Sequence, residues 1–174
     1  MFENIKYRLF ARRLKKQPAR ETRFPQYDQV KDILLLYESS LTEKNPAITG
    51  LAKRLQQEGK DVTTWGYADK KDITSAILPQ SRILGRRDLG LTGMPKADVL
   101  QDLQSRHYDL LIDLTQHPCL ALHYTALYAR CRFKTGMHLQ DGLHDLMIDM
   151  PAQDTPVALF EQIIHYLKTI RSND

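Results

Sequence analysis

The chain has 174 residues, 42% of them hydrophobic and 26% charged, which is enough for one domain with a substantial core and not obviously enough for two. No apolar run approaches the roughly 20 residues of a membrane span, and the first residues lack the unbroken apolar core of a secretory signal, so a cytoplasmic protein is expected. The net charge of +4 is small but unevenly placed: residues 1–24 hold eight basic side chains against Glu3 and Glu21, leaving 17 basic against 19 acidic in the remainder, a pattern of a basic arm rather than a nucleic-acid surface spread over the whole fold.

Residues 2–17 favour a helix, with Phe2, Ile5 and Leu9 on one side and Tyr7, Phe10 and Leu14 on another. Lys6 and Arg13 interrupt its apolar arc. Its cations Lys6, Arg8, Arg12, Arg13, Lys15 and Lys16 are the candidate contacts to an anionic partner, either lipid headgroups or RNA phosphates; the competing expectation is a helix packed on the domain through its aromatic residues, with solvated cations outside. Pro18 and Pro25 bracket a polar connector, so residues 1–24 are read as helix plus connector and residues 25–174 as the domain.

The first strand, Asp32 to Glu38, carries the continuous apolar run Ile33–Leu36 of a strand buried on both faces of a parallel sheet. Asn45 then serves as N-cap with Pro46 in the first helical position; Ile48, Leu51, Ala52 and Leu55 line one face, and Gly59 ends the helix. Asp61 to Tyr67 is the second strand. The signal weakens between Asp69 and Pro95, where a helical turn at Ile73–Leu78 and a short strand near Arg82–Leu84 are expected, followed by a helix over Lys96–Arg106. Tyr108 to Gly136 reads as strand, helix, strand, the last closed by Gly136. A final strand spans Leu146 to Met150, and a helix runs from Pro156 to Ile170, capped by Asp154 or Thr155. This alternation implies an α/β fold, a single open and mostly parallel Rossmann-like sheet of five or six strands with helices on both faces.

In such sheets ligands bind beyond the carboxyl ends of the strands, where strand order reverses. If the first strand neighbours the Tyr108 strand, that crevice is lined by Glu38, Ser39 and Ser40 on one side and by Asp113, Thr115, Gln116 and His117 on the other. Asp113 is a candidate general base, although capping the local turn or pairing with a basic neighbour is the stronger expectation for it. No catalytic fingerprint is present. The turn after the first strand lacks a glycine fingerprint, and Gly85 to Gly90 is followed by Leu91 and Thr92 where a phosphate loop requires Lys and Ser or Thr. No cofactor is expected. His138, Asp141, His144, Asp145 and Asp149 are the densest set of potential metal ligands but match no established spacing, and turn chemistry explains them better. Cys119 and Cys131 stand at the two ends of one helix, about 15 Å or more apart and too far for a disulfide. His123, four residues beyond Cys119, makes only a weak thiolate and imidazole pattern, and a buried thiol is expected.

The segments YDLLIDLT, FKTG and HDLMIDM, followed by IIHYLKTI, resemble an uncharacterised bacterial family of short proteins carrying a domain of unknown function, over most of the chain up to Ile170. More distantly, YDLLIDL, its helix and the strand ending at Gly136 resemble the N-terminal Rossmann-like domain of the heptosyltransferases. That resemblance implies an acceptor-side half domain. Those enzymes place a glycine and a catalytic aspartate where this chain has Ser39 and Ser40, and their nucleotide-sugar site lies largely in a second domain. The sequence therefore leads to a non-catalytic cytoplasmic binding protein for a protein partner or a small anionic ligand, with its basic helix offered to an anionic inner-membrane surface. The rivals are a glycosyltransferase-like half domain that needs a partner for its donor and an RNA-binding accessory protein.

Overall fold

The computed structural model describes residues 2–39, 45–70, 80–151 and 155–170. Six strands, β1 (Asp32–Glu38), β2 (Asp61–Tyr67), β3 (Ser81–Leu84), β4 (Tyr108–Asp113), β5 (Cys131–Met137) and β6 (Leu146–Ile148), form one sheet in the order β3-β2-β1-β4-β5-β6 among the described residues. Every pairing is parallel. Strand order reverses between β1 and β4, which are neighbours in register from Ile33 opposite Leu110 to Leu36 opposite Asp113.

The apolar run of β1 has a direct cause. Ile33, Leu35 and Tyr37 face a core completed by α2 (Pro46–Gln57) and α5 (Pro156–Thr169), while Leu34 and Leu36 face one completed by α1 (Phe2–Lys15), α3 (Ala97–Gln104) and α4 (Leu120–Tyr128). A strand covered on both sides has no polar face to alternate with. The start of α2 is as its sequence requires: the Asn45 side chain accepts from the Ile48 N–H, Pro46 follows, and beyond the last turn Gly59 takes φ +80°. At α5 the Thr155 side chain accepts from the Ala158 N–H; Asp154, the other candidate cap, lies outside the described residues, as does the expected helical turn at Ile73–Leu78.

The fold departs from the sequence reading at two strand ends. β5 is not closed by Gly136 but continues through it to Met137, with Gly136 paired to Asp113. A side chain there would strike the His144 imidazole, so this glycine serves a close approach and not a turn. β6 stops at Ile148, short of Met150, and the Asp149 carboxylate turns to the His138 imidazole instead.

Helix α4 is buried on every side, from Leu120 through Leu127. The sheet covers one side and α1 covers another: Phe10 is fully buried, edge-on to Tyr124 with ring centroids 5.0 Å apart, and lies 5.6 Å from the His123 ring. Arg13 donates to the Tyr128 hydroxyl at 3.2 Å. The last carbonyls of α4 are capped from β5, where the buried Lys134 ammonium donates to Ala126 O and, at 3.1 Å, to Leu127 O. Burial there lowers its pKa to about 8. The connector is also fastened, since Arg20 grips Asp145 through two bonds of 2.7 and 2.6 Å and donates to the Cys131 carbonyl at 2.6 Å.

The N-terminal helix is thus a layer of the fold and not a loose arm. Replacing Phe10 with Ala is expected to destabilise the chain by about 3–5 kcal/mol in urea unfolding, the range for deleting a fully buried aromatic side chain.

Candidate functional site

A cleft of about 670 Å³ opens beyond the carboxyl ends of β1 and β2. Glu38 and Ser39 reach it from the end of β1, and Tyr67 and Asp69 from the end of β2. Arg86 enters from the 3-10 turn after β3, Lys6 and Tyr7 from α1, and Cys119 from the start of α4. Its position obeys the rule for open parallel sheets, and α1 supplies a wall that the sheet alone would not.

The charges around the cleft are paired. Arg86 donates through Nε to Asp69 Oδ1 at 2.6 Å and through Nη2 to Oδ2 at 3.0 Å, and the Tyr67 hydroxyl adds a third bond to Asp69 at 3.1 Å. The Arg86 bonds hold the Asp69 carboxyl below its usual range, while burial, with the Asp69 charge beside it, pushes the Tyr67 phenol up. Lys6 pairs with Glu3 at 3.1 Å. Glu38 Oε2 accepts from the Gln116 N–H at 3.3 Å and lies 3.2 Å from His117 Nδ1. Burial, with the Cys119, Glu3 and Glu38 charges adding to it, raises Tyr7 to about 12. Cys119 is the N-cap of α4 without a side-chain cap hydrogen bond, and burial raises its thiol to about 12, against the lowering influence of the Leu122 and Ala121 backbone. At neutral pH it is a thiol and not a nucleophilic thiolate.

The sequence-derived crevice residues divide into three groups. Glu38 and Ser39 line the cleft, and Gln116 and His117 stand beside it on Glu38. Ser40 lies outside the described residues. Asp113 and Thr115 are buried beneath the site. Asp113 Oδ1 accepts from the Thr115 backbone N–H at 3.0 Å and from its hydroxyl, closing a tight turn after β4, and Oδ2 lies 3.1 Å from His144 Nε2. Burial alone would raise the Asp113 pKa; the His144 and Thr115 hydrogen bonds and the nearby imidazoles outweigh it and hold the carboxyl below its ordinary value. Both expected structural roles, turn cap and partner of a basic group, are therefore filled at once.

Sequence reasoning missed His123 as a member of this buried cluster. Its ring is walled by Tyr7 and Phe10 of α1, and neither nitrogen has a hydrogen-bond partner; nor does His144 Nδ1. Burial keeps the His123 pKa below normal, partly offset by the Asp113 charge. Sequence reasoning also missed Asp69 and Arg86, which follow the ends of β2 and β3 and so were open to the carboxyl-end rule. Lys6 and Tyr7 had no such signal, because nothing in the sequence places α1 at that end of the sheet. The five potential metal ligands separate physically: His138 sits between Asp141 (2.5 Å) and Asp149 (3.1 Å), His144 turns inward to Asp113, and Asp145 binds Arg20. No group of three or more metal-ligating side chains forms among the described residues.

Residues 3–170 match DUF6913, a family of unknown function. The chain belongs to this family. No curated protein is significantly similar to it. Two solved structures with related folds are both of Escherichia coli heptosyltransferase WaaC. With ADP, the likeness has a TM-score of 0.46 at 13% identity, covering 82% of this chain and 48% of that one. With ADP-2-deoxy-2-fluoro heptose, it has a TM-score of 0.43 at 15% identity, covering 82% and 51%. The DUF6913 chain thus spans about half the length of these structures. The family resemblance read from its sequence is met by the first match, and both structures are of a heptosyltransferase, the enzyme family named by the more distant resemblance. No helix among the described residues is long and apolar enough to cross a membrane.

The buried imidazole fixes a pH dependence. Because the folded pKa of His123 is depressed, the unfolded chain alone takes up this proton below its ordinary pKa of about 6.5, and stability falls as pH drops through that value. Asp113 adds a second loss: its folded pKa is also depressed, so its contribution is present above about pH 4 and disappears as pH falls further. Urea unfolding at about pH 5 and pH 7 is expected to show this loss of stability at the lower pH, opposed in part by His138, whose pKa the Asp141 and Asp149 hydrogen bonds raise. His123→Phe, which keeps the ring contacts to Tyr7 and Phe10, should shrink that difference. Gly136→Ala would place a methyl group 2.8 Å from the His144 ring and 3.0 Å from the Asp113 Cβ, and is expected to destabilise the chain by about 1–3 kcal/mol in the same assay.

Proposed function

We propose that this protein is a non-catalytic binding module whose ligand is a small anionic molecule seated in the cleft beyond β1 and β2. One observation carries the reading: the groups suited to proton transfer, Asp113, His144 and His123, are sealed beneath the cleft, while the groups that reach it are cations, carboxylates and phenols. General acid–base catalysis is served best by a group whose pKa lies near neutral pH, whereas burial pushes the Tyr7 and Tyr67 phenols up and the Arg86 bonds hold Asp69 down. The arrangement favours recognition instead. Lys6 and Arg86 would take a phosphate or carboxylate in place of, or shared with, their partners Glu3 and Asp69, and Glu38 would accept from hydroxyl or amino groups on the same ligand.

The test is a thermal-shift screen of the purified chain against sugar phosphates, nucleotides, organic acids and amino acids. A ligand present at a hundred times its Kd stabilises the folded state by about 2.7 kcal/mol. At least one such compound is expected to raise Tm, and Arg86→Gln and Glu38→Gln should each weaken its binding by about tenfold, the effect of losing one charge-assisted hydrogen bond. Stabilisation unchanged in both variants would place the ligand elsewhere. Turnover of a sugar nucleotide by the purified chain alone would overturn the reading in favour of a glycosyltransferase-like enzyme.

A further inference from the structure

Helix α1 turns two different faces to its surroundings. Tyr7, Phe10 and Leu14, at helical spacing, pack on the domain, and the cations nearest them are already engaged: Lys6 with Glu3, and Arg13 with Tyr128 and with Met94 Sδ at 3.3 Å. The opposite face carries Arg8, Arg12 and Lys15 at i, i+4 and i+7, with Lys16 just beyond the helix, and all four are exposed. Residues 4–16 contain no carboxylate, and no partner is found for these four cations among the described residues. Like charges at such spacings repel each other by a few tenths of a kcal/mol per pair. The helix dipole favours cations in the last turn, which accounts for Arg12 and Lys15 singly but not for a face free of acids in a chain whose remainder holds 19 acidic residues to 17 basic.

Two exposed apolar side chains stand on or beside α1, one on this face and one on the turn that adjoins the helix through Arg13. Ile5, 48% exposed, lies on the same side of the helix as Arg8 and Arg12. Leu91 is 98% exposed at the tip of a tight turn held by the Gly93 N–H to the Gly90 carbonyl (3.0 Å) and the Gly90 N–H to the Met94 carbonyl (2.8 Å), with Gly93 at φ +79°. That turn adjoins α1 through the Arg13–Met94 contact, and Gly90 and Gly93 border the same cleft as Lys6 and Tyr7. A backbone so closed holds the leucine in water, where it packs against nothing in the fold.

We infer that the outer face of α1, together with Leu91, is a docking surface for an anionic lipid bilayer. Arg8, Arg12, Lys15 and Lys16 meet the headgroup phosphates, and Ile5 and Leu91 enter the interface beside them. Cations alone would serve a nucleic acid equally well; exposed aliphatic side chains gain nothing from a phosphate backbone, but strengthen attachment to a bilayer by burial in its apolar boundary. Because α1 is fixed on α4 through Phe10, the surface is preformed and no ordering step precedes contact. The ligand cleft then opens close to the membrane plane, but the docking surface does not depend on what that cleft binds.

The test is co-sedimentation of the full chain with vesicles of phosphatidylcholine alone and of mixed phosphatidylcholine and phosphatidylglycerol, with poly(U) RNA as a second probe. Retention on the anionic vesicles only, falling as salt is raised, is expected. Each cation near the surface is worth about a fivefold change in partitioning, so the combined Arg8→Gln, Arg12→Gln, Lys15→Gln and Lys16→Gln variant should lose binding by several hundredfold, on the order of its complete disappearance. These side chains are exposed, so the variant should keep the wild-type unfolding midpoint. Leu91→Ser should weaken vesicle binding several-fold and leave any poly(U) binding untouched. Failure to bind anionic vesicles, or binding that survives the fourfold substitution, would overturn the inference. Tight poly(U) binding with Leu91→Ser neutral on vesicles would assign the face to a nucleic acid instead.

Discussion

The buried carboxylate of Asp113 at the end of β4 is the constraint on which much of this architecture rests. A charge in that position is costly unless each of its oxygens is satisfied. One oxygen takes the Thr115 backbone and hydroxyl, which bends the chain away from the sheet immediately after the strand; the other lies against His144, which arrives from the loop before β6. The imidazole reaches that oxygen only because Gly136, opposite Asp113 in the β5 ladder, has no side chain in its path. Turn, loop and glycine therefore form one unit that ties the end of β4 to β5 and β6 at the point where strand order reverses.

A second layer closes over this unit. His123 of α4 lies near Asp113 and His144 without a hydrogen bond to either, and Tyr7 and Phe10 of α1 cover its ring. The same helix walls the open cleft with Lys6 and Tyr7 and presents to solvent a basic face that has no partner among the described residues. The end of a parallel sheet that in many folds exposes titratable groups to a substrate is here divided: proton-active groups below, ligand-facing charges above, and α1 between them and the exterior. The proposed binding role rests on that division, and the proposed docking surface would give such a module a direction in which to be held.

Much of the fold was legible because the strands are governed by local rules. The apolar run Ile33–Leu36 and the Asn45–Pro46 start gave β1 and α2 their bounds, and the neighbouring of β1 and β4, which the sequence offered only as a condition for the crevice, is met. The site was legible only where position along a strand decides it, as at Glu38 and Ser39. Gly136 was misread as a strand end because a glycine required by a side chain from a distant loop looks, in sequence, like one required by a turn. The role of α1 was signalled indirectly. Leu120 to Leu127 is buried on all sides, and a helix apolar around its whole circumference must be covered twice, once by the sheet and once by another helix. That Phe10 supplies the second cover is a tertiary fact that spacing within α1 alone does not carry.

The central claim is that Asp113, His144 and His123 are sealed from the cleft, and imidazole C2-proton exchange followed by mass spectrometry on the native chain tests it most directly. His123 and His144 are expected to exchange far more slowly than the exposed His117 at neutral pH. Exchange of either at the rate of His117 would contradict the account, because it would put an imidazole in contact with solvent at the switch point and return acid–base chemistry to the site.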